Sequence, residues 1–167
     1  MRKALLIIIL CVIGLTSCDI ESPYSGYAAY FSFDATCAPF NQIYSAGQFI
    51  TIRKKSVTSY EITDIYGSKQ IQQLTEAQAR QHFQYGFGGF IIGTPIQGGD
   101  IIVYDWACPN CDLSPNRLQI MELGYAKCNS CNCEFDLSQK GYAIKGESRP
   151  LWLYHNYSMG SEITIRN

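Results

Sequence analysis

At 167 residues, 47% hydrophobic and 16% charged, the chain has the length and apolar content of one globular domain with a real core. Its 13 basic and 14 acidic residues give a formal net charge of −1, and no basic block exists beyond Arg53-Lys54-Lys55, so nothing points to a nucleic-acid partner. Arg53-Lys54-Lys55 itself reads as a solvated strand end.

The first elements are an address and a tether. Arg2 and Lys3 precede an unbroken apolar run from Ala4 to Val12, extended by Ile13 and Leu15. That run is short for a transmembrane helix and has the length of a signal-peptide core. It ends in Leu15-Thr16-Ser17-Cys18, which resembles the lipobox of bacterial lipoproteins. The resemblance implies a signal peptide over 1–17, lipidation at Cys18, and a chain held to the membrane by its lipid. The location implied is extracytoplasmic, lipid-anchored to the bacterial cell envelope in the periplasm or at the cell surface. Several acyl chains on one residue give stable anchoring, because each buried methylene contributes about 0.8 kcal/mol. The alternative is a plain secretory peptide in which Cys18 is incidental. Residues 18–26, short and polar with Pro23 and Gly26, read as the lipidated tether.

After the tether the pattern is that of strands. Tyr27 to Phe33 is aromatic-rich. Phe49 to Arg53 alternates Ile50 and Ile52 with Thr51 and Arg53, and Tyr60 and Ile62 alternate with Glu61 and Thr63, as half-buried strands do. Asp64-Ile65-Tyr66-Gly67 is a turn. Thr75-Glu76-Ala77-Gln78 fits a capping box and predicts one helix, running to about His82 and stopped by Gly86. Gly86-Phe87-Gly88-Gly89 precedes a strand and predicts a tight backbone approach. Phe90–Ile92 and Ile101–Tyr104 are apolar runs bounded by glycines, predicting central strands joined through a hairpin-type turn at Gly98-Gly99-Asp100. Leu118–Leu123, Glu134–Leu137, Leu151–Tyr154 and Ile163–Ile165 complete the set. With 12 Tyr and 8 Phe favouring sheet, the fold class is all-β: an antiparallel β sandwich or barrel with one short helix. A small two-knuckle metal-type subdomain is inserted after the Ile101–Tyr104 strand.

That subdomain carries the strongest chemical signal. Cys108-Pro109-Asn110-Cys111 is followed, after sixteen intervening residues, by Cys128-Asn129-Ser130-Cys131. Two C-x2-C pairs at this spacing read as facing knuckles that supply four thiolates to one tetrahedral site for zinc or iron. The residue after each second Cys is Asp112 or Asn132, and these types tolerate the left-handed conformation a knuckle turn needs. Two other readings compete: disulfide staples, which suit an oxidising compartment, and an exposed redox pair or iron–sulfur centre. Cys37 and Cys133 are left over and predict a possible structural disulfide between the N-terminal sheet and the knuckle subdomain.

Residues 104–111 and the run from Cys128 through Cys131 to Phe135-Asp136-Leu137 resemble the two cluster-binding loops of Rieske-type domains. Gly141, Gly146, Pro150-Leu151 and Tyr154 continue the likeness, which covers about residues 88–157. It implies a Rieske-like β domain over 27–167, with the knuckle subdomain at about 104–140. A two-iron, two-sulfide (2Fe–2S) cluster becomes possible by that likeness. Carried over by position, Cys108 and Cys128 are the cysteine ligands, while Asn110 and Cys131 stand where the family has histidines. A fourth thiolate from Cys111 converts the set to all cysteine. His82 and His155 lie outside both loops.

No enzyme constellation is present: no Ser–His–Asp spacing cue, no phosphate-binding loop and no HExxH helix. Trp106 is placed to shield the first knuckle. Trp152 and Tyr154 could stack on carbohydrate, though alternating strand aromatics usually belong to core and sheet face. The sequence thus predicts a membrane-anchored, four-cysteine metal-binding module, structural or electron-transferring, serving an envelope protein. The alternative is a non-enzymatic envelope scaffold with disulfides in place of the cluster.

Overall fold

The computed structural model describes residues 22–111 and 116–167. The signal-like segment, Cys18 and Asp112 lie outside them. The strands are β1 (Ala29–Asp34), β2 (Phe49–Lys54), β3 (Ser59–Thr63), β4 (Lys69–Gln73), β5 (Gln84–Tyr85), β6 (Phe90–Gly93), β7 (Ile102–Asp105), β8 (Gln119–Met121), β9 (Tyr125–Lys127), β10 (Glu134–Asp136), β11 (Tyr142–Lys145), β12 (Leu153–Met159) and β13 (Glu162–Arg166). One helix, α1 (Glu76–Arg80), lies between β4 and β5.

The period-2 alternation of β2 and β3 decides how the large sheet packs. Ile50 and Ile52 on β2, and Tyr60 and Ile62 on β3, turn one face into the core; Ile52 pairs opposite Ile62. Nine strands join in the order β4-β3-β2-β6-β7-β12-β13-β1-β5 through antiparallel ladders. The sheet curls on itself. Phe31 of β1 sits edge-on to Tyr60 of β3 at 5.1 Å between ring centroids, although these strands lie near opposite ends of the order. Phe31, Phe33, Phe90, Ile163 and Ile165 fill the enclosed space, each burying about 1.5–3 kcal/mol worth of apolar side chain.

The other face of β2, β6 and β7 carries the subdomain. Phe49, Ile91 and Tyr104 leave the sheet on that side and pack against Leu118, Ala126, Phe135, Leu137 and Leu151. A second antiparallel sheet, β11-β10-β9-β8, forms the far layer. The Tyr104 hydroxyl crosses the seam and donates to the Leu137 carbonyl at 2.8 Å; burial holds its pKa above the ordinary tyrosine value.

The described residues are therefore all-β with one short α-helix. The Thr75 hydroxyl accepts from the Gln78 amide at 3.2 Å while Gln78 Oε1 accepts from the Thr75 N–H at 3.0 Å, which completes the capping box. The helix is shorter than predicted. It ends at Arg80, and His82 adopts φ +54°, which a helix cannot contain. Arg53 also departs from expectation: it is not a solvated strand end but pairs with buried Glu61 at 2.6 Å. Among the described residues, no helix is long and apolar enough to cross a membrane.

Candidate metal centre

Each knuckle is the tip of a β ribbon. β7 ends at Asp105, and the chain enters the first knuckle at Trp106. The ribbon closes through Leu118 N–H to Trp106 C=O at 3.0 Å and Cys108 N–H to Asn116 C=O at 2.9 Å. The second knuckle joins β9 to β10. There Cys128 N–H donates to Cys133 C=O, and Asn132 N–H to Cys128 C=O, both at 2.9 Å. Asn132 has φ +58°, as its residue type predicts for a knuckle turn.

The start of the first knuckle is anchored by a buried carboxylate. Asp105 accepts from Phe87 N–H at 2.7 Å, Gly88 N–H at 2.9 Å and Ala107 N–H at 2.8 Å. The Tyr154 hydroxyl adds a fourth bond at 2.6 Å. Burial raises the Asp105 pKa, against the pull of these four donors. The glycine-rich segment makes the close approach its sequence predicts. A Cβ on Gly86 would collide with the Tyr154 hydroxyl, and one on Gly88 with the Ala107 amide.

The two tips bring Cys108, Cys111, Cys128 and Cys131 together, with all four Sγ atoms within 4.8 Å of one another. Cys108–Cys131 and Cys111–Cys128 are each 3.6 Å apart, across the knuckles. Sulfurs about 2.3 Å from a tetrahedral ion lie about 3.8 Å from each other, so the set matches a single four-thiolate ion. A binuclear cluster divides its ligands between two irons and needs a wider spread. A disulfide requires about 2.05 Å, and all four are free thiols. Cys108 and Cys128 are buried, and Cys111 and Cys131 half-buried. Such a closed site, with no ligand position left for substrate, has structural rather than catalytic form.

The thiols differ in acidity. Burial raises the Cys108 pKa, opposed by the N–H groups of Cys111 and Asn110. Burial and the neighbouring Cys128 and Cys131 thiols push Cys111 up to about 11. Burial also disfavours ionisation of Cys131, but Cys133 N–H, the Asn110 amide and adjacent thiols outweigh it and draw its pKa down to about 6. Cys131 thus becomes a thiolate more readily than Cys108 or Cys111, and a soft divalent cation supplies the drive to ionise those two.

Asn110, at a histidine position in the Rieske comparison, points its amide at the Cys133 sulfur, 3.6 Å away. It acts as a donor to the thiol group, a role with no signature in C-x2-C spacing. The predicted Cys37–Cys133 bridge is not formed. Cys133 is buried in the subdomain, 3.9 Å from the Glu147 carbonyl, whereas Cys37 is an exposed free thiol. Trp106 packs into the subdomain core and donates from Nε1 to the Leu118 carbonyl at 2.6 Å. Trp152 is covered by the Arg149 guanidinium at 4.7 Å and Tyr154 is buried, so the two offer no open stacking platform. His155 stacks on Tyr24 at 3.9 Å, and neither histidine joins the thiols.

No family model matches the chain, and no curated protein or solved structure matches it.

Proposed function

We propose that the chain is a membrane-anchored, extracytoplasmic metal-binding module whose four cysteines hold one zinc ion, with iron as the alternative occupant. The observation that carries this reading is the convergence of Cys108, Cys111, Cys128 and Cys131 within 4.8 Å. The ion clamps the two ribbon tips together and adds to the apolar packing that already seats the subdomain on the large sheet. Anchoring rests on the lipobox-like Leu15-Thr16-Ser17-Cys18, and service to an envelope protein follows from that location. The resemblance of about residues 88–157 to Rieske-type domains is the reason to retain iron and electron transfer. Elemental analysis of the purified full chain, with a visible spectrum, separates the occupants: bound zinc is colourless, and iron on four thiolates absorbs strongly.

A scaffold with disulfides is the second reading, favoured by the two cross-knuckle contacts of 3.6 Å. Small rotations would join Cys108 to Cys131 and Cys111 to Cys128. Thiol counting on the same sample distinguishes it.

A further inference from the structure

The face of β2 and β3 opposite the core is only partly covered by the subdomain. Phe49 is buried beneath it, but Thr51, Arg53 and Glu61 look into a cleft of about 1010 Å³ whose far wall runs from Arg117 to Leu123. Polar groups converge at its floor. Glu61 is only 5% exposed and is approached by Arg53 at 2.6 Å and Lys55 at 3.6 Å. Arg117 enters from the opposite wall, where Nε donates to the Gly88 carbonyl at 2.6 Å and the guanidinium lies over Trp106 at 5.6 Å. Burial, and next the charge of Arg53, hold the Arg117 pKa below the ordinary arginine value, while Asp105 and Glu61 act the other way.

At the floor the cations outnumber the carboxylates three to two, while the rim sets Lys69 against Asp64 and Glu122, so the positive excess is confined to the floor. Arg53, Lys55 and Arg117 face Glu61 and the buried Asp105, whose oxygens are already taken by four donors. At the rim, Lys69 and Glu122 are exposed, and Asp64 Oδ1 is occupied by the Tyr66 and Ser68 amides. Three floor atoms lack a hydrogen-bond partner although buried. One, Glu61 Oε1, is ion-paired with Arg53 at 2.6 Å, which leaves a pair with neither kind of contact: Thr51 Oγ1, on a residue 2% exposed, and Arg53 Nε. Buried polar atoms are ordinarily satisfied, so this pair marks a place for an acceptor. Two guanidinium groups are the preferred donors to carboxylate and phosphate oxygens. The cleft continues outward along Trp106, Ile120 and Met121, an apolar wall.

We propose that this cleft binds a small organic anion: a carboxylate or phosphate head held between Arg117 and Arg53 beside the Thr51 hydroxyl, on an apolar body lying against Trp106, Ile120 and Met121. The cleft is polar on one side and apolar on the other, and small-molecule sites commonly set convergent polar groups against an apolar wall. The site stands independently of which ion the cysteines hold.

The test is calorimetric titration of the purified full chain with 2-naphthoate, 2-naphthyl phosphate and neutral 2-naphthalenemethanol, each against a detergent-only blank. At least one anion is expected to bind one per chain, about tenfold or more tighter than the alcohol. The tighter of the two anions identifies the head group. Arg117→Gln should weaken that anion about tenfold or more while leaving metal content unchanged. Thr51→Val, nearly isosteric and removing only an unpartnered hydroxyl, serves as the deciding variant if Arg117→Gln does not fold; it should weaken the anion about threefold. Equal binding of the alcohol, indifference to the deciding variant, or no binding of either anion at millimolar concentration would each overturn the proposal.

Discussion

The Tyr154 hydroxyl donates to the Asp105 carboxylate at 2.6 Å, joining β12 to the residue from which the first knuckle departs. The same hydroxyl accepts from buried Ser25 at 3.0 Å, so the end of the 18–26 segment, expected from sequence to be a free tether, is packed on the domain. Asp105 is fully buried, and its remaining bonds hold the glycine-rich turn against the knuckle. This carboxylate joins the apolar seam and the Tyr104–Leu137 bond in fixing the knuckle subdomain to the large sheet.

Tyr154→Phe should destabilise the chain by about 1–3 kcal/mol, because a buried carboxylate loses one donor. Asp105→Asn should cost a similar amount, since its amide nitrogen must face a donor. The pH dependence has a definite sign. Burial raises the folded pKa of Asp105 above its unfolded value, so its contribution is complete below the unfolded pKa of about 3.9. That contribution is lost as pH rises through the folded pKa. Urea unfolding of wild type and Asp105→Asn across this range should show the wild-type advantage shrinking with rising pH; an advantage that grows would contradict the assignment.

Cys111→Ser and Cys131→Ser should each remove most of the bound metal and make residues 104–137 protease-sensitive, because metal binding in a closed site is also folding free energy. The large sheet, with its separate core, should stay folded. Cys133→Ala is the informative control. Cys133 touches Asn110 but lies outside the four-sulfur set, so this variant should keep its metal; losing it would place Cys133 among the ligands.

Metal uptake should be coupled to protons with a recognisable step. Cys131 is drawn down to about 6, so above that pH it already offers a thiolate, and below it one additional proton must leave on binding. Calorimetry in two buffers of different ionisation enthalpy should show the number of protons released rising by about one as pH falls through that region. A constant number would contradict the ordering of the thiols.

Asn132→Gly should leave stability within a few tenths of a kcal/mol, and Asn132→Val should cost about 1–2 kcal/mol, because φ is +58° there. Equal unfolding midpoints for the two variants would remove the turn argument.

Cys18→Ala should abolish fatty-acid labelling and release the chain from the membrane fraction. Unchanged labelling would end the lipoprotein reading.

Much of this architecture was written locally. Alternation in Phe49–Arg53 and Tyr60–Thr63 identified two strands and their core faces, and Thr75 with Gln78 identified the helix start. Other elements had no such signal. β4, Lys-Gln-Ile-Gln-Gln over Lys69–Gln73, is an exposed edge strand with a single apolar residue, and it exists because β3 offers it a ladder. His82 lies in a run of good helix formers, and its left-handed backbone reflects the turn into β5, which propensity does not encode. The four thiols were legible because spacing along a ribbon fixes their meeting. The pairing of Arg53 with Glu61, and the arrival of Arg117 opposite them, depend on register and on packing between two sheets, which no short window contains.

The most direct test is the metal and thiol content of the full chain, purified without added metal or reductant. One zinc or iron per chain is predicted, with Cys108, Cys111, Cys128 and Cys131 protected from alkylation until a chelator is added and reactive afterwards. Absence of metal, with mass spectrometry finding Cys108 joined to Cys131 and Cys111 to Cys128, would contradict the metal centre and leave a disulfide-stapled scaffold.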